Sequence, residues 1–154
     1  MPLLSNMNYE KIWQKTLGSD EKTEYEFSTG DKYIKFQLIV WGILCLPLLL
    51  ALGLGLFVFL IILFYWEFYQ RAANAFAFTN KRVLVHRGWL STHTISVDYS
   101  KITDIHVIEP FFDRVLTHTG NIAIVTAGTT TDQIVLQHIS DPYEMKKKLD
   151  ALKG

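Results

Sequence analysis

The sequence predicts an α+β membrane protein. A transmembrane helical hairpin, or one long kinked helix, precedes a bent antiparallel β-barrel or sandwich of six to seven strands, which a C-terminal α-helix caps. An uncharged run rich in Leu, Ile, Val and Phe extends from Phe36 to Trp66, and about 20 apolar residues suffice to cross a bilayer as a helix. After Arg71 the apolar residues recur at every second position, which is the period of half-buried strands.

Composition limits the class of protein. The chain has 154 residues, which leaves room for one membrane segment and one small folded domain. Fifteen Lys and Arg residues balance fifteen Asp and Glu residues, so the net charge gives no indication of nucleic-acid binding. The single cysteine, Cys45, lies inside the apolar run. The domain must therefore be held by its core, without disulfides.

We interpret residues 1–32 as an N-terminal leader with a short amphipathic helix. Ile12, Trp13 and Leu17 fall on roughly one side of a helix over residues 5–17, and Gly18 is a stop signal. Two placements of Trp13 remain open. The indole lies on the membrane surface, or it packs against the folded domain from a loosely ordered leader.

Residues 33–70 form the predicted transmembrane segment. A single straight helix over the apolar run would be about 46 Å long, well beyond a hydrocarbon core of about 30 Å. Pro47 and the glycines after it favour a hairpin with a turn near residues 47–51. Lysines before the run and arginines after it suit two cytoplasmic ends. The alternative is one tilted, kinked helix that places the domain on the side opposite the N-terminus.

Small residues just after the run resemble a signal-peptidase site, as in Ala73-Asn74-Ala75 and Ala75-Phe76-Ala77. Signal sequences have apolar cores of about 7 to 15 residues near the N-terminus. This run is too long and begins too late in the chain. We therefore expect it to be retained as a membrane segment.

Residues 71–154 form the predicted β domain. Six strands are expected, at 75–79, 82–88, 94–99, 102–108, 122–127 and 133–139. Their spacing of about ten residues indicates an antiparallel meander closed into a barrel or two-sheet sandwich. In the last helix, Asp141 is the expected cap, Pro142 occupies the first position and Glu144 completes a capping box. An apolar stripe of Met145, Leu149 and Leu152 would cover an open end of the barrel.

Short motifs follow one another in a fixed order over about residues 71–152. They are Phe78-Thr79-Asn80-Lys81-Arg82-Val83, Gly88, Tyr99-Ser100-Lys101-Ile102-Thr103-Asp104-Ile105, Phe112-Asp113-Arg114-Val115, Thr119-Gly120-Asn121-Ile122, Thr126-Ala127-Gly128 and Ile139-Ser140-Asp141-Pro142. Together they resemble the bacterial pleckstrin-homology-like domain of the membrane-associated type. The resemblance implies a strongly bent seven-stranded sheet closed by a helix, in a small bacterial membrane protein. It implies no catalytic residues, because the family has no common catalytic site.

We interpret the motif positions as mainly structural. They comprise Thr79, Arg82, Gly88, Lys101, Asp104, Asp113, Arg114, Gly120, Gly128, Asp141 and Pro142. Thr79 begins a hairpin turn, and Gly120 and Gly128 permit turn conformations that a side chain would hinder. Asp113 beside Arg114 would order a loop.

Basic residues close to the membrane exit are the candidates for lipid contact. Arg71, Lys81, Arg82 and Arg87 follow the apolar run, and each can contribute about 1 kcal/mol of attraction to anionic lipid. Trp66 and Tyr69 can lie at the membrane interface. Topology determination is the alternative role of these cations.

Catalytic chemistry has little support in the sequence. The five histidines, His86, His93, His106, His118 and His138, lack ligand-like local spacing, so no metal site is predicted. No phosphate loop or dinucleotide fingerprint is present in the sequence, and no cofactor is expected. The predicted function is a non-enzymatic binding or scaffold module at the cytoplasmic membrane surface. The expected partner of this module is a protein, a second copy of the chain or a lipid headgroup. The alternative function is that of a metal- or carboxylate-dependent hydrolase acting at the membrane.

Overall fold

The computed structural model describes residues 10–52, 55–88, 91–127 and 133–154. Within these ranges the helices are α1 (Glu10–Trp13), α2 (Asp31–Leu52), α3 (Gly55–Phe64), α4 (Gln70–Ala73) and α5 (Pro142–Lys153). The strands are β1 (Thr23–Ser28), β2 (Asn74–Thr79), β3 (Arg82–Arg87), β4 (His93–Asp98), β5 (Ile102–Ile108), β6 (Thr119–Thr126) and β7 (Ile134–Ser140). Two π-helical turns, Tyr65–Tyr69 and Asp113–Thr117, join α3 to α4 and β5 to β6.

The strands form two antiparallel sheets. The first sheet has the order β1-β2-β3-β4 and the second has the order β5-β6-β7. All six strands predicted after residue 71 are present, with ends that differ by a few residues. The two-sheet form of the predicted β module, with its C-terminal helix, is confirmed.

The seventh strand comes from the predicted leader. β1 pairs with β2 so that Phe27 lies opposite Phe76, and its ring contacts Phe76 and Phe78 at centroid distances of 5.6 and 4.9 Å. β1 was not among the predicted strands, because its partner β2 lies beyond the apolar run. The folded domain therefore includes residues on both sides of the apolar run, and not only those after residue 71.

The helices of the apolar run lie side by side in opposite directions. Asp31 at the start of α2 contacts Arg71 in α4, and Gly42 in the middle of α2 faces Phe59 of α3. α2 continues through Pro47 to Leu52, so the turn predicted near residues 47–51 is wrong. Leu and Ala residues follow Pro47, and their high helix propensity favours continuation of the helix.

By length and composition, one helical stretch in the described parts of the chain could cross a membrane. It comprises the 19 residues Gly55–Ala73. α2 begins with the charged residues Asp31, Lys32 and Lys35, and its uncharged part is about 25 Å long. That length falls short of a hydrocarbon core of about 30 Å. The length and composition of the described helices therefore do not support a hairpin of two full membrane crossings.

The main core lies between the two sheets. Phe76, Phe78 and Val85 face it from the first sheet, and Ile122, Ile124 and Leu136 face it from the second. α5 closes one end with Leu149, which is fully buried, and with the partly buried Met145 and Leu152. The predicted apolar stripe of α5 is confirmed.

A second, smaller core covers the other face of the first sheet. Trp13 is fully buried against Ala75, Ala77 and Leu84. Packing of Trp13 against the domain is thus confirmed, and its placement on the membrane surface is wrong. The small side chains that resembled a signal-peptidase site leave the space that the indole fills.

Asp141 does not cap α5 with its side chain. It adopts a left-handed conformation with φ of 49°, and its carboxylate forms no capping hydrogen bond. Its main-chain carbonyl instead accepts hydrogen bonds from the amides of Glu144 and Met145, at 3.0 and 3.2 Å. Pro142 occupies the first turn, as predicted, and is buried.

Candidate functional site

An exposed apolar band surrounds the helix pair. The large side chains of α2, α3 and the following turn that are at least 38% exposed are Ile39, Trp41, Ile43, Leu44, Leu46, Leu56, Phe57, Leu60, Ile61, Leu63, Phe64 and Tyr65. Only 11% of the most apolar window of the Gly55–Ala73 stretch is buried, so this stretch is not the core helix of a globular domain. A contiguous apolar patch of this size marks an interaction surface.

A polar collar joins the base of the helix pair to the sheets. The Arg71 guanidinium lies 2.8 Å from the Asp31 carboxylate and 3.4 Å from that of Glu67, and its side chain is only 11% exposed. The hydroxyl of Ser28 donates to the carbonyl of Arg71 at 3.1 Å. Arg71 is therefore engaged within the protein, unlike the free cation expected for lipid contact.

Aromatic side chains lie at the same level as this collar. The Tyr33 ring packs edge-on against Trp66 with a centroid distance of 6.0 Å. Tyr69 stacks on Tyr65 at 5.1 Å. Trp66 and Tyr69, the two predicted interface aromatics, are both half-buried.

The β2–β3 hairpin separates the four basic residues that were predicted to act together. Asn74 lies opposite Arg87 and Phe78 lies opposite Val83, so Arg87 is at the helix end of the hairpin. Lys81 and Arg82 lie at the far end, about 16 to 20 Å away at 3.3 Å per residue. Proximity along the chain did not imply a cluster, because the hairpin extends away from the helices.

Arg82 holds the leader against the far turn. Its Nε and Nη2 donate to the two carboxylate oxygens of Glu21 at 2.9 and 2.7 Å, and Nη2 also donates to the Thr16 carbonyl at 2.8 Å. The bidentate hydrogen bonds from Arg82 lower the pKa of Glu21 to about 2, although burial opposes the shift. The same contact raises the pKa of Arg82. This pair fits the structural interpretation of Arg82.

Thr79 organises the turn itself. Its Oγ1 accepts hydrogen bonds from the amides of Lys81 and Arg82, at 3.2 and 3.0 Å, and donates to Glu21. The Tyr99 hydroxyl donates to the Thr79 carbonyl at 2.5 Å. Burial raises the pKa of Tyr99 to about 12, so this hydroxyl stays protonated.

Two motif glycines meet close neighbours. Gly88 has φ of +91°, and a Cβ there would collide with the Ser91 carbonyl oxygen. A Cβ on Gly120 would lie 2.9 Å from Glu109 Cγ and 3.0 Å from the Ile108 carbonyl oxygen. Gly128, the third motif glycine, lies outside the described residues.

The charged positions of the β5–β7 region are dispersed. Asp104 is exposed and accepts a hydrogen bond from the Ile105 amide at 2.7 Å, and Lys101 lies 3.7 Å from Asp98. Arg114 is exposed on the π-helical turn. In the described ranges, no group of three or more His, Cys, Asp and Glu side chains is arranged to hold a metal ion.

Asp113, His138 and Tyr33 form a cluster that the sequence analysis did not predict. The Asp113 carboxylate lies 3.4 Å from Nδ1 of His138, and the His138 ring stacks on Tyr33 with centroids 3.7 Å apart. Burial lowers the pKa of His138, although Asp113 opposes this shift. The cluster connects α2, β7 and the π-helical turn at the base of the helix pair. No sequence signal marks it, since the three residues are far apart along the chain.

A cleft of about 630 Å³ opens between β4 of the first sheet and the adjoining ends of β6 and β7. Ile95, Val97 and Ile134 supply apolar lining, and Arg87, His93 and Lys101 supply basic groups. Arg87 donates to the Val135 carbonyl at 2.5 Å and so links the two sheets. A mixed apolar and basic cleft beside a sheet edge suits an extended acidic peptide or an anionic group.

Two sheets packed around one core and closed by a C-terminal helix define the pleckstrin-homology-like class of fold. The model of the bacterial PH domain family matches residues 36–153, and the chain belongs to this family. The matched range includes most of α2 and all of α3. Domains of this family are generally binding modules and not enzymes.

Solved structures of pleckstrin-homology domains share the fold. A DUF1696-family protein with a pleckstrin-homology domain from Shewanella loihica PV-4 aligns with a TM-score of 0.52 and 15% identity, over 96% of this chain and 98% of that chain. A pleckstrin-homology domain from Shewanella amazonensis SB2B aligns with a TM-score of 0.54 and 12% identity, over 99% and 93% of the two chains. No curated protein matches the sequence.

Proposed function

We propose that this chain is a membrane-anchored binding module of the bacterial PH domain family. The helix pair α2–α3 inserts into the cytoplasmic membrane, and the two-sheet domain presents a binding cleft at its cytoplasmic surface. The observation that carries the proposal is the exposed apolar band, which is concentrated on the helices between β1 and β2.

Pairing of β1 with β2 supports a hairpin over a single crossing. β1 precedes the helix pair and β2 follows it, yet the two strands are hydrogen-bonded neighbours. Both ends of the helical segment must therefore lie on one side of the bilayer. The uncharged part of each arm is shorter than a full hydrocarbon core, so we propose local thinning of the bilayer or incomplete penetration.

Charge supports the cytoplasmic side for the domain. Lys32, Lys35 and Arg114 are exposed near the base of the helix pair, and Lys and Arg next to membrane segments are enriched on the cytoplasmic side. These three cations replace the predicted set of Arg71, Lys81, Arg82 and Arg87 as the best-placed lipid contacts.

Membrane extraction tests the anchor. The full chain, expressed in bacteria, should remain in the membrane pellet after high-salt and alkaline washes and be released by detergent. Leu60→Arg should move protein to the soluble fraction, because a central arginine costs about 2.5 to 3.5 kcal/mol on insertion. Tyr143→Arg is the matched control, since Tyr143 is similarly exposed but lies on α5. Release of the unaltered chain by salt alone would contradict the anchor.

Site-specific photo-cross-linking tests the cleft. A cross-linking residue at Ser96, which lines the cleft, should give partner adducts in intact membranes. The control position is Ser100, which is exposed on a neighbouring turn outside the cleft lining. Equal adduct patterns from both positions would contradict a binding role for the cleft.

A further inference from the structure

We propose that the segment 111–116 is a second membrane contact, which inserts its apolar side chains into the interface of the same leaflet beside the helix pair. This inference rests on the proposed membrane anchor. It concerns a surface of the β domain that the anchor itself does not require.

The segment presents one apolar face. Phe111, Phe112, Val115 and Leu116 are between 50% and 70% exposed. Phe111 and Val115 are four residues apart, as are Phe112 and Leu116, so the two members of each pair lie on the same side of a helical turn and the two pairs are adjacent. Four large apolar side chains facing water together are unfavourable, so this face is expected to be covered in the working protein.

The inward face of the same turn fixes its position. Thr117 is buried, and its hydroxyl donates to the Asp113 carbonyl at 2.8 Å and contacts the Thr119 hydroxyl at 2.7 Å. Asp113 pairs with His138, whose ring stacks on Tyr33 of α2. The turn is thus held against the first turn of α2, and the apolar face cannot fold back into the core.

The segment lies at the membrane level of the helix pair. Tyr33 also contacts Trp66, and Tyr and Trp residues are typical of the membrane–water interface. Exposed apolar residues of α2 begin at Ile39, about 9 Å further along the helix. The segment is therefore placed beside the headgroups, where amphipathic segments insert by about 5 to 10 Å.

Charge favours lipid over a second protein copy as the occupant. Arg114 is exposed within the segment, and Lys32 and Lys35 are exposed at the start of α2. Cations around an apolar face suit anionic headgroups around an acyl-chain region. Four side chains also expose less area than the roughly 800 Å² that each partner of a stable protein interface buries.

Depth-dependent fluorescence quenching tests the inference on the full chain. With Cys45→Ser as background, Phe112→Cys carries an environment-sensitive fluorophore, and the protein is reconstituted into phosphatidylglycerol–phosphatidylcholine vesicles. Phe64→Cys on α3 is the lipid reference. Lys81→Cys at the far hairpin turn is the water reference. Phe111→Cys is a second labelling position, since both phenylalanines are exposed and their replacement leaves the core intact.

We expect brominated lipid to quench the label at position 112 several-fold more than at position 81, and iodide to show the reverse. Position 112 behaving like position 81, while position 64 is quenched by lipid, would overturn this inference and leave the anchor standing. Water-like quenching at position 64 would overturn both. A label at 112 shielded from both quenchers would show a protein interface and overturn lipid contact.

Discussion

At the scale of single residues, the pair of Glu21 and Arg82 contributes most clearly to stability. The Glu21 carboxylate accepts hydrogen bonds from Arg82, Thr79 and the Gly18 amide, and its side chain is only 3% exposed. Loss of one partner leaves the other charge partly buried and without compensation. The leader and the far turn are therefore joined by one carboxylate.

We expect Glu21→Gln to destabilise the protein at neutral pH. The pKa of Glu21 falls from 4.5 to about 2 on folding, which corresponds to at most about 3 kcal/mol. This stabilisation is fully present above pH 4.5, declines as the pH falls, and is lost below about pH 2. Chemical unfolding in detergent should show a difference in the free energy of unfolding between the unaltered protein and the variant. This difference should disappear as the pH falls from 4.5 to about 2. Asp20→Asn, at an exposed neighbouring position, is the control. A difference in stability that does not depend on pH would contradict a stabilising ion pair between Glu21 and Arg82.

Gly88 tolerates no side chain. Its positive φ and the nearby Ser91 carbonyl oxygen predict that Gly88→Ala lowers the free energy of unfolding by at least about 2 kcal/mol. Gly18→Ala is the matched control, because the nearest atom to a Cβ there is 3.8 Å away. Equal thermal unfolding midpoints for the two variants would argue against the strained turn.

His138 predicts a second pH dependence at milder acidity. Because burial holds its pKa below 6.5 in the folded protein, the unfolded chain binds more protons as the pH falls below that value. Stability should therefore decrease between about pH 7 and pH 5. His138→Asn, which tolerates the left-handed conformation at φ of 51°, should reduce this slope. Part of the slope should remain, because burial also lowers the pKa of His86.

At the scale of elements, β1 is the strand that alters the domain boundary. Its pattern of Thr23, Tyr25 and Phe27 alternating with glutamates is a strand signal, but its partner lies beyond the apolar run. The six later strands were predictable because each one pairs with a strand nearby in the chain. The pairing of β1 with the distant strand β2 has no signal in the local sequence. The contact of Asp113, His138 and Tyr33 has none either.

Phe27→Ala tests whether β1 belongs to the core. Phe27 contacts Phe76 and Phe78. The substitution should therefore lower the free energy of unfolding by about 2 to 4 kcal/mol, slightly less than for a fully buried phenylalanine. Glu24→Ala in the same strand is exposed and should have little effect. Similar stability of the two variants would place β1 outside the folded unit.

At the scale of the whole molecule, the pairing of β1 with β2 makes a prediction about topology. In a Cys45→Ser background, single cysteines at Glu24 and at Lys81 should react with a membrane-impermeant thiol reagent from the same side. Both should be labelled in inverted vesicles, and neither should be labelled in intact cells. Labelling of the two positions from opposite sides would contradict a shared sheet across the helix pair.

The exposed apolar surface and the proposed lipid contacts were only partly predictable. The apolar run and its interface aromatics follow directly from composition and period. The positions of the basic residues could not be predicted in this way. The β2–β3 hairpin extends Lys81 and Arg82 away from the helices, and ion pairs engage Arg71. The ion-pair partners of these basic residues depend on the tertiary structure, which the spacing of residues in the sequence does not reveal.

The split of the first sheet also constrains biosynthesis. β1 leaves the ribosome before the apolar helices, whereas its partner β2 leaves after them. Until then the nascent chain carries an unpaired strand edge, a known hazard for aggregation. Under the proposed membrane anchor, insertion of the helices and completion of the sheet are coupled, and a chain stalled during insertion would expose Phe27 to chaperones and proteases.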